Sequence, residues 1–133
     1  MAADNGRQTH KEADMKYMLL IYQNPANWSD LGEEARNDVM QEAGAIVQEL
    51  TESGELIGGD ALADHSRTRT VRVRSGIPAV TDGPFLEAKE HLVGYCMIDC
   101  ETPERALEVA TRWPDARHWA VELRPVLSGG TEA

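Results

Sequence analysis

The sequence predicts an α+β domain in the order β-α-β-β-α-β, with one antiparallel sheet covered by helices on a single face. Three observations carry this expectation. The continuous apolar run Tyr17-Met18-Leu19-Leu20-Ile21-Tyr22 suits a central strand buried on both sides. Two segments keep helical spacing between recognisable start and stop residues. The remaining β-forming residues fall in short stretches divided by Gly, Pro, Asn and Asp. A chain of 133 residues has room for one core of ordinary size.

The elements follow in order. Residues 1–14 are polar throughout, lack the apolar segment of a secretory signal, and read as a disordered extension. The domain is expected over residues 15–127, with 128–133 as a flexible tail. After the first strand, Asn24-Pro25 signals a loop. Asp30 with Glu33 three residues on forms a capping box that should start a helix near Leu31. Ala35, Val39, Ala43, Ile46 and Leu50 keep helical spacing, Met40 and Val47 widen the stripe, and Gly54 supplies the stop. The outer face (Glu33, Glu34, Asp38, Glu42, Glu49, Glu52) reads as a solvated acidic surface.

Residues 55–62 form the next strand, and the pair Gly58-Gly59 within it marks a bulge or a close approach to the backbone. Residues 67–74 alternate Val71 and Val73 against Thr70, Arg72 and Arg74, and a Ser75-Gly76 turn leads to a short strand at 78–81. Residues 91–100 are rich in β-formers. Thr102 or Glu101 opens a second helix with Pro103 early, Ala106, Leu107, Val109 and Ala110 inside, and Pro114 at its end. The last strand spans 118–126, with His118, Ala120, Glu122 and Arg124 on one side. Two crossover helices and a central hairpin, with an irregular insertion before His91, make this arrangement ferredoxin-like. Helices then shield one face of the sheet. The apolar residues on both sides of the first strand predict that the other face meets a second copy, enclosing a partly apolar cavity.

Thirteen Lys and Arg against 23 Asp and Glu give a net charge of −10, which argues against non-specific nucleic-acid binding. No apolar run is long enough to span a bilayer, so a cytoplasmic protein is expected. Cys96 and Cys100 share one face of a strand about 13 Å apart at roughly 3.3 Å per residue, too far for a disulfide. They read as free buried thiols, and no spacing suggests a metal site.

The densest cluster of turn-forming and titratable residues is Thr81 to His91. His118 is the candidate proton carrier, because imidazole both gives and takes a proton near neutrality. Asp82 is its candidate partner, or simply a turn former before Gly83-Pro84. Arg72 and Lys89 could hold a carboxylate or enolate, with Glu87, Glu90 and Gly59 as further candidate ligand contacts. Four arginines at 67, 69, 72 and 74 are exceptional in so acidic a chain and favour an anionic small ligand. Trp28, Trp113 and Trp119 read as core or interface anchors.

Asp82-Gly83-Pro84-Phe85 followed by Glu87, Lys89 and Glu90 resembles the DGPFAETKE signature of the YCII-related proteins. Further matches are Met15 to Tyr22, Gly58-Gly59, Thr70-Val71-Arg72, Ala116-Arg117-His118, Glu122 and Arg124-Pro125-Val126, so the resemblance spans residues 15–126. It implies a dimeric ferredoxin-like α/β barrel. Some members resemble lyases or dehydrochlorinases that work without a cofactor, and many lie beside extracytoplasmic-function sigma factors. A His–Asp pair is proposed in shorter members, with the His on the first helix. Here that stretch reads Met40-Gln41-Glu42-Ala43-Gly44-Ala45 and holds no histidine. Leu86 and Ala88 also depart from the signature. The expectation is a homodimer that binds a small anionic or carbonyl compound and catalyses acid–base chemistry. The alternative is a non-catalytic regulatory module associated with a sigma factor.

Overall fold

The computed structural model describes residues 15–84 and 88–127, and shows a mixed α+β domain built on antiparallel sheets. The extension expected over 1–14 and the tail over 128–133 lie outside the described residues. The elements are β1 (Met15–Gln23), α1 (Pro25–Asp30), α2 (Glu33–Ser53), β2 (Leu56–Ala61), β3 (Arg69–Arg74), β4 (Ile77–Asp82), β5 (His91–Cys100), α3 (Pro103–Arg112), α4 (Asp115–His118) and β6 (Ala120–Pro125).

The main sheet has the order β2-β5-β1-β6, antiparallel throughout. Alternation along β1 sends Tyr17, Leu19 and Ile21 towards the helices, where they are buried with Cys96, Ile98 and Cys100 of β5. Ile46 and Leu50 of α2 and Ala106, Val109 and Trp113 from the α3 region complete this core. Both cysteines are buried and neither is in a disulfide, as their spacing suggested. Met18, Leu20 and Tyr22 point the other way and are half-buried, with Met97 opposite Met18, and Tyr95 and Glu122 opposite Leu20.

Several local expectations are corrected. The residues after Asn24 form a short helix, not a loop: Asn24 Oδ1 accepts from the Ala26 amide at 3.0 Å, and Pro25 occupies the first turn, where its missing N–H costs nothing. Asp30 ends that helix and caps nothing. The Asp30–Glu33 box fails because Gly32, with φ at 89°, separates the helices. Gly54 does stop α2, in the left-handed conformation. In α3, Thr102 Oγ1 caps the Arg105 amide at 3.1 Å, while Leu107 faces outward.

The insertion is larger than expected. The arginine-rich segment is not in the main sheet; β3 and β4 form a separate two-stranded ribbon through a Ser75-Gly76 turn with both φ values positive. The inner hairpin of the main sheet pairs β2 with β5 across this insertion.

The acidic face of α2 is partly consumed by structure. Glu42 pairs with Arg117 at 2.6 Å, Glu49 with Arg112 at 2.6 Å and with Arg105 at 3.1 Å. Arg105 also holds Glu55 through two bonds, Nε to Oε2 at 3.0 Å and Nη2 to Oε1 at 2.9 Å. These contacts hold the Glu49 carboxyl down to about 2 and keep Glu55 below its ordinary value, first through their hydrogen bonds to arginine. Arg105→Ala strands the mostly buried Glu55 carboxylate and should cost about 1–3 kcal/mol in urea unfolding. Arg105→Lys should recover only part of it, because an ammonium lacks the planar fork.

Candidate functional site

A cavity of about 460 Å³ opens between α2 and the helix-covered side of the sheet. Val39, Met40, Ala43 and Val47 form its α2 wall, Ile21 and Cys96 its sheet wall, and Trp28 and Trp113 its end. The size suits a small organic ligand. The wall is apolar because each contributing element turns its hydrophobic stripe inward. Two register shifts shape the sheet side, one between Ile21 and Tyr22 against β5, the other between Leu56 and Gly58 against the same strand. Each inserts an extra residue and bends the strand locally.

Two polar side chains enter this apolar space together. Asp115, at the start of α4, is 3% exposed, and Gln23 Nε2 donates to its Oδ2 at 2.8 Å. Both line the cavity. Burial pushes the Asp115 carboxyl above the ordinary carboxylate range, and the bond from Gln23 offsets part of that rise. The charge of nearby His118 acts in the same downward sense. Cys96, in the same wall, has its thiol raised to about 11 by burial, so it is an inert wall residue and no nucleophile.

The residues expected from the sequence are distributed differently. His118 is the last residue of α4, not the first of a strand, and its exposed ring lies 5.3 Å from that of Trp119. The Trp-Pro-Asp step starts a short helical turn that displaces the beginning of β6 to Ala120. Asp82 ends β4 with its side chain 93% exposed, facing Arg69 at 3.9 Å. Neither residue lines the cavity, and they belong to separate elements. Arg72 lines a shallow hollow on the ribbon with Thr70, Ala79, Thr81 and Pro84, which does join an arginine to the motif turn. Lys89 and Glu90 are exposed in the segment before β5, and Glu87 lies outside the described residues. Among the described residues, Gly59 is the one expected ligand contact that lines the cavity.

Sequence reasoning missed Asp115, Gln23 and the cavity position of Trp28. A signal for Gln23 was present: it continues the alternation of Tyr17, Leu19 and Ile21, so it had to face the helices. Asp115 follows Trp113-Pro114, and its burial depends on α4, a single turn that periodicity does not resolve.

The geometry agrees with the comparisons. The family model for the YCII-related domain matches residues 15–128. The chain belongs to the YCII-related family. An uncharacterized protein of Rhizobium meliloti (strain 1021) is 32% identical over 114 residues, covering 84% of this chain and 92% of that protein.

Two predictions come from the site. At Gly59 an added Cβ would meet the Tyr95 carbonyl oxygen at 2.6 Å, whereas at Gly58 it meets nothing within 4 Å. Gly59→Ala should therefore lower stability by about 1–3 kcal/mol, while Gly58→Ala should change it by less than about 0.5 kcal/mol; denaturant melts of both variants compare them directly. The second concerns Asp115. Its folded value lies above the unfolded one, so its stabilising contribution is complete below the ordinary carboxyl range and is lost as pH rises through the raised value. Asp115→Asn does not titrate, so the stability difference in favour of the variant should grow across that window. A difference that stays flat with pH would mean the carboxyl is not shifted.

Proposed function

We propose that this protein binds a small, largely apolar carbonyl compound in the cavity beneath α2 and moves a proton on it through Asp115. The observation that carries this reading is the buried Asp115–Gln23 pair set into a predominantly apolar wall. A buried carboxylate with a raised value is a stronger base than one in water, and Gln23 fixes its orientation. Asp115 would take a proton from the carbon beside the carbonyl and return it. His118 acts here as a neighbour whose charge tunes the carboxyl, not as the proton carrier. An anionic ligand fits less well, since an ionised Asp115 would repel it at close range in an apolar wall. The fold belongs to the same reading: strand order β2-β5-β1-β6 suits a ferredoxin-like domain, and the half-buried Met18, Leu20 and Met97 on the face away from the helices suit pairing of two such sheets into a dimeric α/β barrel.

Trp28 and Trp113 report on occupancy through their emission. Titration with 2-nonanone should shift that emission and saturate, and nonanoate should bind about tenfold more weakly. Ala43→Phe should abolish the response by filling the cavity. In deuterated water the ketone should exchange hydrogen at its α-carbons, and Asp115→Asn should lose that exchange while keeping the emission response. Absence of any saturable response to the ketone would remove the cavity from the function, and unchanged exchange in Asp115→Asn would remove the carboxyl.

A further inference from the structure

The two sides of the β3–β4 ribbon differ in chemistry. The register sets Arg69 against Asp82, Val71 against Val80 and Val73 against Pro78 on one side. Thr70 against Thr81, Arg72 against Ala79 and Arg74 against Ile77 make up the other. Asp82 is the one carboxylate among residues 67–82, and it stands on the first side, facing Arg69 at 3.9 Å. The second side therefore carries Arg72 and Arg74 and no carboxylate of the ribbon. In a chain of net charge −10 this is a local exception, and it attracts small anions.

The hollow on this side has a volume of about 270 Å³ and is lined by Thr70, Arg72, Ala79, Thr81 and Pro84. Ala79, across from Arg72, leaves room that a longer side chain would fill. The neck beside it is fixed. The Gly83 amide donates to the Thr68 carbonyl at 2.7 Å, and Thr70 Oγ1 donates to the Gly83 carbonyl at 2.7 Å, which holds Pro84 in place as a wall. The second of these bonds also determines what the hollow can accept. A carbonyl only accepts, so the Thr70 hydroxyl has spent its proton on Gly83 and turns lone pairs to any ligand. A bare anionic oxygen is repelled there, whereas an O–H is bonded. Arg72 offers the opposite chemistry. A guanidinium carries five N–H donors in a planar fork and grips a carboxylate with two of them while the others serve a further partner. Thr81 adds a hydroxyl able to donate.

We propose that this hollow binds a small hydroxylated carboxylate. Its carboxylate lies on the Arg72 guanidinium and the Thr81 hydroxyl, and its own hydroxyl donates to Thr70 Oγ1. Arg74, one step further along the same side and roughly 7 Å from Arg72, adds attraction for a second carboxylate. The site is separate from the cavity beneath α2 and does not depend on the reading given for it, since no residue lines both.

Calorimetric titration of the full chain at low ionic strength tests this, with malate and with succinate, which lacks the hydroxyl. Malate should bind saturably, and succinate about fivefold more weakly. Arg72 is exposed, so Arg72→Gln leaves the fold intact, and it should weaken malate by about tenfold or more. Arg74→Gln should weaken it by a smaller factor that shrinks with added salt. Thr70→Val should erase the preference for malate over succinate, and Thr70→Ser should keep it. Absence of saturable malate binding, or an unchanged malate affinity in Arg72→Gln, overturns the site. Equal affinity of the wild type for malate and succinate overturns the part given to Thr70 and with it the ligand class. Should Thr70→Val fail to fold, the wild-type comparison and Arg72→Gln decide by themselves.

Discussion

The cavity is bounded by α2, which packs Ile46 and Leu50 into the core and is fastened along its other edge by arginines. A helix that stands off a sheet far enough to leave a cavity forgoes packing that would ordinarily hold it in place. Here the missing contact is offset by arginines from the opposite edge of the helix layer. Arg117 grips Glu42, Arg112 grips Glu49, and Arg105 gathers Glu49 and Glu55 at the C-terminal end of α2. Exposed ion pairs contribute little one at a time. Arg105 is different, since it is mostly buried, bonds three carboxylates and reaches Glu55 through both edges of its guanidinium. It ties α2, the turn into β2 and α3 into one rigid unit. Val39, Ala43 and Val47 of this unit line the cavity together with Ile21 and Cys96.

The sheet side meets the same requirement by other means. Gly59 lets β2 approach the Tyr95 carbonyl more closely than any side chain permits. The register shift between Ile21 and Tyr22 interrupts the regular pairing of β1 with β5 just before Gln23, which reaches Asp115, while the shift in β2 lies further along β5, opposite Met97 and Ile98. The polar pair is thus placed at the irregular end of an otherwise regular sheet, where a strand can redirect its side chains without sacrificing the core beneath Leu19 and Ile98.

How far this was legible in the sequence depended on the range of the interaction. Strand β1, the stop at Gly54, the Thr102 cap and the Ser75-Gly76 turn are dictated by neighbours within a few residues, and each was readable. The expected Asp30 cap failed because two local signals competed, and Asn24-Pro25 started a helix first. The solvated acidic face of α2 was half right. Nothing within α2 shows that Glu42 and Glu49 meet arginines more than sixty residues away. His118 was misplaced for a related reason: alternation along 118–126 is a true property of β6 from Ala120 onward, and extending it backward ignored the turn that Trp113-Pro114-Asp115 begins. The motif region is legible as a family signature, yet Asp82 points into solvent and the cavity lies elsewhere. A signature therefore marks what a fold needs at that position, which can be a turn and a neck as readily as a reactive group.

That distinction bears on why Asp115 is a carboxylic acid at all. Asparagine would fill the same volume, accept the same bond from Gln23 and avoid the cost of burying a titratable group in an apolar wall. Stability alone would favour the amide. On the proposed reading, the carboxyl of Asp115, lining the cavity beside a donor that orients it, offers what the amide cannot, a group that takes up and gives back a proton. The cavity and the ribbon are built from separate elements: the helix layer and Asp115 border the cavity, and the arginines that fasten α2 pair with Glu42, Glu49, Glu55 and Glu108, none of which lies on β3 or β4. A change in the ribbon should therefore leave that clamp in place.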